Sequence, residues 1–298
     1  MRTNQLGPSD LHVSEIGLGC MSLRGSDREN ADTLHRAVEL GVNFFDTADL
    51  YDHGQNEVTL GKALKGLRDK VVIASKVGNR WREDGSGWDW DPSKAYIEAS
   101  VHQSLKRLGT DHLDLYQLHG GTIDDPIDET IEAFEELVQE GWIRYYGISS
   151  IRPNVIREYL KRSNIVSVMM QYSLLDRRPE ESAFELLHRH GVGVIVRGPV
   201  AKGLLAGKPP KAYLEHDQDE VAHAQSLLKA CDKPNRSSAQ SALLFALAQP
   251  AVATLVPGAS SLAQLEENAA AANAPALSEA ELERLREGVT AHIYRQHR

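Results

Sequence analysis

Within FFDTADLYDHGQNE, Phe44 to Glu57, a carboxylic acid and a phenol stand five residues apart at the end of an apolar run: Asp46 and Tyr51. A free carboxylate titrates near ~4 and a free phenol near ~10, so neither alone is a good proton donor at neutral pH, and a third group must tune one of them. Two residues of complementary type close comparable apolar runs, Lys76 in KVVIASK and His119 in LDLYQLH. An ammonium stabilises a nearby phenolate, a carboxylate keeps an ammonium charged, and an imidazole exchanges a proton near neutrality. The quartet therefore points to acid–base chemistry, provided the fold brings it together.

Eight short β-rich apolar runs are available to do so: SEIGLG from Ser14, VNFFD from Val42, KVVIASK from Lys70, LDLYQLH from Leu113, IRYYGIS from Ile143, VSVMMQY from Val166, GVGVIVR from Gly191 and ATLVPG from Ala253. Segments of helical periodicity separate them, such as RENADTLHRAVELG from Arg28 and the run after Thr122 that closes on Gly141. Strand–helix alternation implies a parallel sheet, and eight units over this length fit a closed (β/α)8 TIM barrel, class α/β, in a single domain spanning residues 1–298. RTNQL, the turn-like GPSD and LHV predict an N-terminal β-hairpin that plugs the barrel bottom. In such a barrel the loops after the strands form the active face, which is where Asp46, Tyr51, Lys76 and His119 fall.

Composition narrows the partners. The 298 residues, 41% hydrophobic, suffice for a large core. With 42 acidic against 33 basic residues, a net charge of -9 and no dense basic run, nucleic acid is excluded as an expected partner. Met1–His12 lacks a signal-peptide pattern and the longest apolar stretch, Ala242–Ala248, is too short for a bilayer, so no membrane association is expected. Two cysteines, Cys20 and Cys231, suit a reducing compartment, and the expected location is cytoplasmic.

GVNFFDTADLYDHGQNE, VVIASKVG, LDLYQLHG, YYGISS, MMQYSLLDRRPEE and LVPGASSLAQLEEN resemble, in order, the serial motifs of the aldo-keto reductases. The resemblance runs from about residue 3 to about residue 290. It implies an oxidoreductase that reversibly transfers hydride between a nicotinamide cofactor and a small-molecule carbonyl substrate, with Asp46, Tyr51, Lys76 and His119 as a catalytic tetrad. Tyr51 is then the proton donor, Lys76 lowers its pKa toward the working range, Asp46 orients Lys76, and His119 bonds the substrate oxygen or relays the proton. The implied cofactor contacts are Met21, Ser149, Gln171, Arg197, Gly198, Gly203, Leu204, Gly207, Gly258, Ser260, Gln264, Glu267 and Asn268. Ser150 stands where relatives carry Asn, and Arg197 where many carry Tyr or Trp. Arg197 either stacks on the nicotinamide or pairs with the pyrophosphate. No basic residue occurs in Val256–Asn268, yet Ser261 and Gln264 read as an S-x-x-Q capping box opening a helix with free amides. On that basis NADPH (NADP) is expected rather than NADH. No metal is expected.

Trp81, Trp88 and Trp90 predict an aromatic loop at the pocket mouth, Trp142 a structural role, and the short stretch after the last helix an open site. Other chemistries compete with this one: a Schiff-base lyase on Lys76, a metal held by Asp46, His53 and His119, a cofactor-binding regulatory subunit, and a sugar dehydrogenase working oxidatively. The first two leave Tyr51 unexplained, and a pure binding module gains little from a tuned phenol.

Overall fold

The computed structural model describes residues 1–298. A hairpin of β1 (Thr3–Gln5) and β2 (His12–Ser14) precedes the barrel strands β3 (Leu18–Gly19), β4 (Phe44–Asp46) and β5 (Val72–Val77). A second hairpin, β6 (Asn79–Trp81) and β7 (Trp88–Trp90), interrupts the series. The barrel then continues through β8 (Leu113–Leu118), β9 (Ile143–Ser149), β10 (Ser167–Gln171), β11 (Gly193–Arg197) and β12 (Val252–Val256). Its eight strands pair in parallel in chain order. The ends meet where Ile16 bridges Leu255 and the Gly17 amide donates to the Leu255 carbonyl at 2.7 Å, which closes the sheet. All eight expected runs supply a strand.

The helices are α1 (Asp27–Glu39), α2 (Gln55–Ala63), α3 (Lys94–Leu108), α4 (Ile127–Gln139), α5 (Pro153–Arg162), α6 (Ala183–Arg189), α7 (Gln218–Lys229), α8 (Ser238–Leu247), α9 (Leu262–Ala270) and α10 (Glu279–Gly288). Their starts follow local chemistry. Ser26 and Glu29 form a reciprocal capping box on α1, as do Ser237 and Gln240 on α8, and Pro153 opens α5 where its missing N–H costs nothing. After α4, Gly141 takes a left-handed φ of 82°, the conformation that lets the chain turn back into β9.

The apolar residues divide into two cores. The larger lies between sheet and helices, with residues such as Leu34, Val101, Phe134 and Phe245. The smaller fills the barrel, where Phe44, Val72, Ala74, Leu115, Met169, Ile195 and Ala253 meet Leu6, Leu11 and Val13 of the hairpin region. The hairpin thus contributes to the barrel's interior packing, as its sequence predicts. Side chains alternate across a strand, so the inward set continues by twos toward the strand ends: Phe44 to Asp46, Ala74 to Lys76, Leu115 to Gln117 and His119, Met169 to Gln171, Ile195 to Arg197. The barrel interior is therefore apolar below and polar at one end. That polar end is the site. No helix is long and apolar enough to cross a membrane.

Candidate active site

Lys76 is fully buried, and its Nζ organises the polar end of the barrel. It donates to Asp46 Oδ2 at 2.7 Å, to the Thr47 carbonyl at 2.7 Å and to Tyr51 Oη at 3.3 Å. An ammonium has three hydrogens and no lone pair, so all three are spent and the contact with Tyr51 uses a phenol lone pair. The phenol hydrogen is left free for another acceptor. His119 stands edge-on to the Tyr51 ring, with centroids 5.8 Å apart and planes at 81°. The backbone on both sides is fixed: the His119 amide donates to the Val77 carbonyl at 2.7 Å, and Asn79 Nδ2 donates to the His119 carbonyl at 3.0 Å. All four sequence-predicted residues are brought together.

Burial works against the Lys76 charge, but Asp46 and Tyr51 outweigh it and hold the ammonium above its ordinary pKa. Burial likewise lifts the Asp46 carboxyl, while Lys76 pulls it back. With both carboxylate oxygens 2.7 Å from Nζ, the attraction keeps the two as an ion pair at neutral pH. Tyr51 corrects the sequence expectation. Burial raises the phenol above its ordinary value, and Lys76 offsets only part of that rise. The phenol is thus protonated at neutral pH, as a donor must be, and Lys76 acts by favouring the tyrosinate that follows donation. Burial, with Lys76 and Arg197 nearby, lowers His119 to about 3, so its ring is neutral and offers one donor and one acceptor.

A second layer escaped the sequence reading. Asn56 accepts from Thr47 Oγ1 at 2.7 Å and donates to the Cys20 carbonyl at 2.8 Å, which holds the Thr47 segment under Lys76. Behind it Glu57, fully buried, accepts from Ser75 and from Arg107 Nε at 2.6 Å. Asp49 joins them, its amide donating to the Lys76 carbonyl at 3.3 Å. Burial and the Glu57 carboxylate raise Asp49 to about 7, against the pull of Arg107 and Lys76. Glu57 and Asp49 were visible in the opening motif, but nothing local marks them as buried.

The two hairpin tryptophans nearest the site do different things. Trp81 stacks on His53 at 3.8 Å between centroids and donates Nε1 to the Leu50 carbonyl at 3.2 Å, so it grips the chain on both sides of Tyr51. Asp46, His53 and His119 do not come together as a group that could hold a metal ion. Trp90 instead packs on Gly78 and Gly120, where an added Cβ would come within 2.6 and 3.0 Å of its ring. Trp88 is exposed, and Trp142 packs against His102 at the start of β9.

The residues assigned to a cofactor line the same end. Ser149, Gln171 and Arg197 end β9, β10 and β11. The Gln171 amide is already engaged, donating to Asp176 Oδ2 at 2.8 Å and to the Tyr213 hydroxyl at 3.2 Å while accepting from Arg197 at 2.8 Å. Ser150 is buried, and its hydroxyl accepts from the Arg152 amide at 3.2 Å. After β11, Gly198, Gly203 and Gly207 have φ of 67°, 92° and 92°, a left-handed backbone suited to glycine; Gly207 is open, while the Lys208 side chain lies over Gly203. Leu204 turns its side chain into the core and its carbonyl accepts from Gln225 Nε2 at 2.7 Å. Barrel closure sets the loops after β3 and β12 side by side: the Ala259 amide donates to Ser22 Oγ at 2.9 Å, between exposed Met21 and the Gly258–Ser260 turn.

Ser261 caps α9, accepting from the Gln264 amide at 3.3 Å. The reciprocal half of the expected capping box does not form. Gln264 Oε1 reaches one residue further and accepts from the Ser260 amide at 2.9 Å and hydroxyl at 3.0 Å, because the extended Ser261 presents Ser260 to it. The amides of Leu262 and Ala263 have no acceptor in the chain. Glu267 accepts from Ser237 Oγ at 2.8 Å, and Asn268 donates to the Gly258 carbonyl at 3.3 Å.

Comparison with known proteins agrees with this architecture. The aldo/keto reductase family model matches residues 15–289. The chain is 53% identical to the uncharacterized oxidoreductase YqkF of Bacillus subtilis (strain 168), covering 100% of both. It is 31% identical to the NADH-specific methylglyoxal reductase of Escherichia coli (strain K12), over 96% of this chain and 98% of that one. The holo form of aldo-keto reductase AKR11C1 from Bacillus halodurans superposes with a TM-score of 0.94 at 56% identity, covering 100% of this chain and 99% of that one.

Proposed function

The chain belongs to the aldo/keto reductase family and is an oxidoreductase, and from that premise we propose that it reduces small aldehydes and ketones to alcohols with NADPH, residues 1–298 acting as one catalytic unit in the cytoplasm. The observation that carries the reading is the Lys76 ammonium, whose three hydrogens are committed to Asp46, Thr47 and Tyr51 and so leave the phenol hydrogen free. A lysine held this way is a poor Schiff-base nucleophile and a good electrostatic support.

When bound, a nicotinamide cofactor supplies the hydride for the carbonyl carbon. Charge then builds on the carbonyl oxygen, and Tyr51 donates its proton there. Lys76 stabilises the resulting tyrosinate, and Asp46 keeps Lys76 charged and aimed. Neutral His119 donates a hydrogen bond to the same oxygen, completing a two-donor hole with Tyr51. The residues present suit the cofactor: a glycine-bearing loop with the Lys208 ammonium beside it, polar ends on β9 and β10, and two unpaired amides with two serines at the start of α9. Ser149 and Gln171 would hold the carboxamide, Gly198, Gly203, Leu204 and Gly207 the pyrophosphate, and Met21, Gly258, Ser260, Gln264, Glu267 and Asn268 the adenosine end.

NADPH is preferred on the strength of the α9 amides, since a helix N-terminus holds a phosphate without a cation. The test is kcat/KM with NADPH and NADH on one substrate, methylglyoxal being a suitable first choice given the named activity of the E. coli relative. A ratio at or below one reverses the preference. Tyr51→Phe tests the reaction itself: turnover falls at least ~100-fold while cofactor affinity holds. Near wild-type turnover in that variant overturns the reading.

A further inference from the structure

Two ion pairs stand among the side chains at the polar end of the barrel, and Arg197, which ends β11 there, belongs to neither. Asp46 neutralises Lys76 at 2.7 Å, and Arg178 neutralises Asp176 through two bonds of 2.7 and 2.8 Å. His119 is uncharged, and Tyr51, Tyr213 and Tyr294 are phenols held above their ordinary pKa by burial. Arg197 remains. Its side chain continues the inward row after Ile195, its one side-chain hydrogen bond goes to neutral Gln171, and no carboxylate stands within ion-pair distance. Its field reaches Asp46, Tyr51 and His119, the groups around the reacting oxygen.

Hydride transfer requires the nicotinamide ring to stand within van der Waals reach of the carbonyl carbon, whose oxygen lies on Tyr51 Oη. The ring therefore occupies the volume that Arg197 polarises. An oxidised nicotinamide ring is a cation and a reduced one is neutral. We propose that Arg197 biases the site toward the reduced cofactor, because its uncompensated charge opposes the oxidised ring and leaves the reduced ring unaffected. The inference rests on the function proposed above. It assigns Arg197 a role in reaction direction, since a site that binds the reduced form more tightly charges readily with reductant and releases the oxidised product.

Two unit charges about 7 Å apart in a medium of effective dielectric ~20 repel enough to change a binding ratio by more than tenfold. Arg197 is exposed, so screening reduces this, and a shift of roughly tenfold is expected. The experiment is calorimetric titration of the full chain with NADPH and with NADP+, in wild type, Arg197→Met and Arg197→Lys. The dissociation-constant ratio, oxidised over reduced, should fall roughly tenfold in Arg197→Met and be kept in Arg197→Lys. An unchanged ratio in Arg197→Met overturns the proposal. So does equal weakening of both forms, the signature of a guanidinium that holds the pyrophosphate. If wild type binds neither nucleotide form, nor NADH and NAD+, the nicotinamide reading falls with it, a result distinct from either of these.

Discussion

Replacing Asp49 with Asn should stabilise the protein, and only above mildly acid pH. Asp49 is 9% exposed and its Oδ1 has no hydrogen-bond partner. Burial and Glu57 raise it from the 3.8 of a free Asp to about 7. A carboxyl whose folded pKa lies above its unfolded value favours folding only while protonated. As pH rises from 3.8 the unfolded chain gains charge that the folded chain resists, and the penalty reaches its full size once pH passes about 7. The difference of about 3 pH units corresponds to roughly 4 kcal/mol at about 1.36 kcal/mol per unit. The amide must itself find an acceptor, and Glu57 is already bonded to Ser75 and Arg107, so about half of that should survive as net gain. For a chain of this size roughly 2 kcal/mol raises Tm by about 4 °C. Calorimetric or urea unfolding of both proteins at pH 4.5 and pH 8 measures it. A gain of equal size at both pH values, or none at pH 8, refutes the reasoning.

Lys76→Met removes the ammonium and leaves Asp46 buried without its partner; kcat should collapse, and the residual activity should lose its acid form at a pH above that of wild type, because the group that draws the Tyr51 pKa down is gone. An unchanged pH–rate profile would make Lys76 merely structural. His119 titrates at about 3, so the wild-type kcat/KM for reduction should be level between pH 5 and 9, with no inflection near ~6.5; an inflection there that disappears in His119→Gln would show a charged working imidazole. Trp81→Phe keeps the stack on His53 and loses only the bond to Leu50, so kcat should drop a few-fold, while Trp81→Ala frees both sides of Tyr51 and should drop it at least ~10-fold with cofactor affinity unchanged. Equal activity in all three forms would remove Trp81 from the positioning of the phenol.

The motif order, the eight strands and the hairpin were legible because each depends on neighbours in the chain. A period of two forces Lys76 to share a face with Ala74, and His119 with Leu115, whatever the rest of the molecule does. An apolar strand interior with a polar last residue therefore already describes a barrel with a site at one rim. Cap chemistry was legible only in part: Ser261 does cap α9, but which amide Gln264 satisfies depended on how Ser260 was presented.

What only the tertiary structure decided is burial and the partners burial brings. Asp46 and Lys76 are 30 residues apart, Glu57 and Arg107 50 apart, and Gln171 and Tyr213 42 apart. No spacing rule connects such pairs. The direction of the Tyr51 pKa turned on the same fact. The sequence shows the ammonium that lowers it, but the desolvation that outweighs that ammonium is a property of the volume around the ring, assembled from several strands and loops. The unpaired charge of Arg197 is likewise a tertiary fact, because only the fold gives it neutral Gln171 as its one side-chain partner while Asp176 pairs with Arg178. Residue type and alternation determine which groups face the site; their ionisation is set by what the fold packs around them.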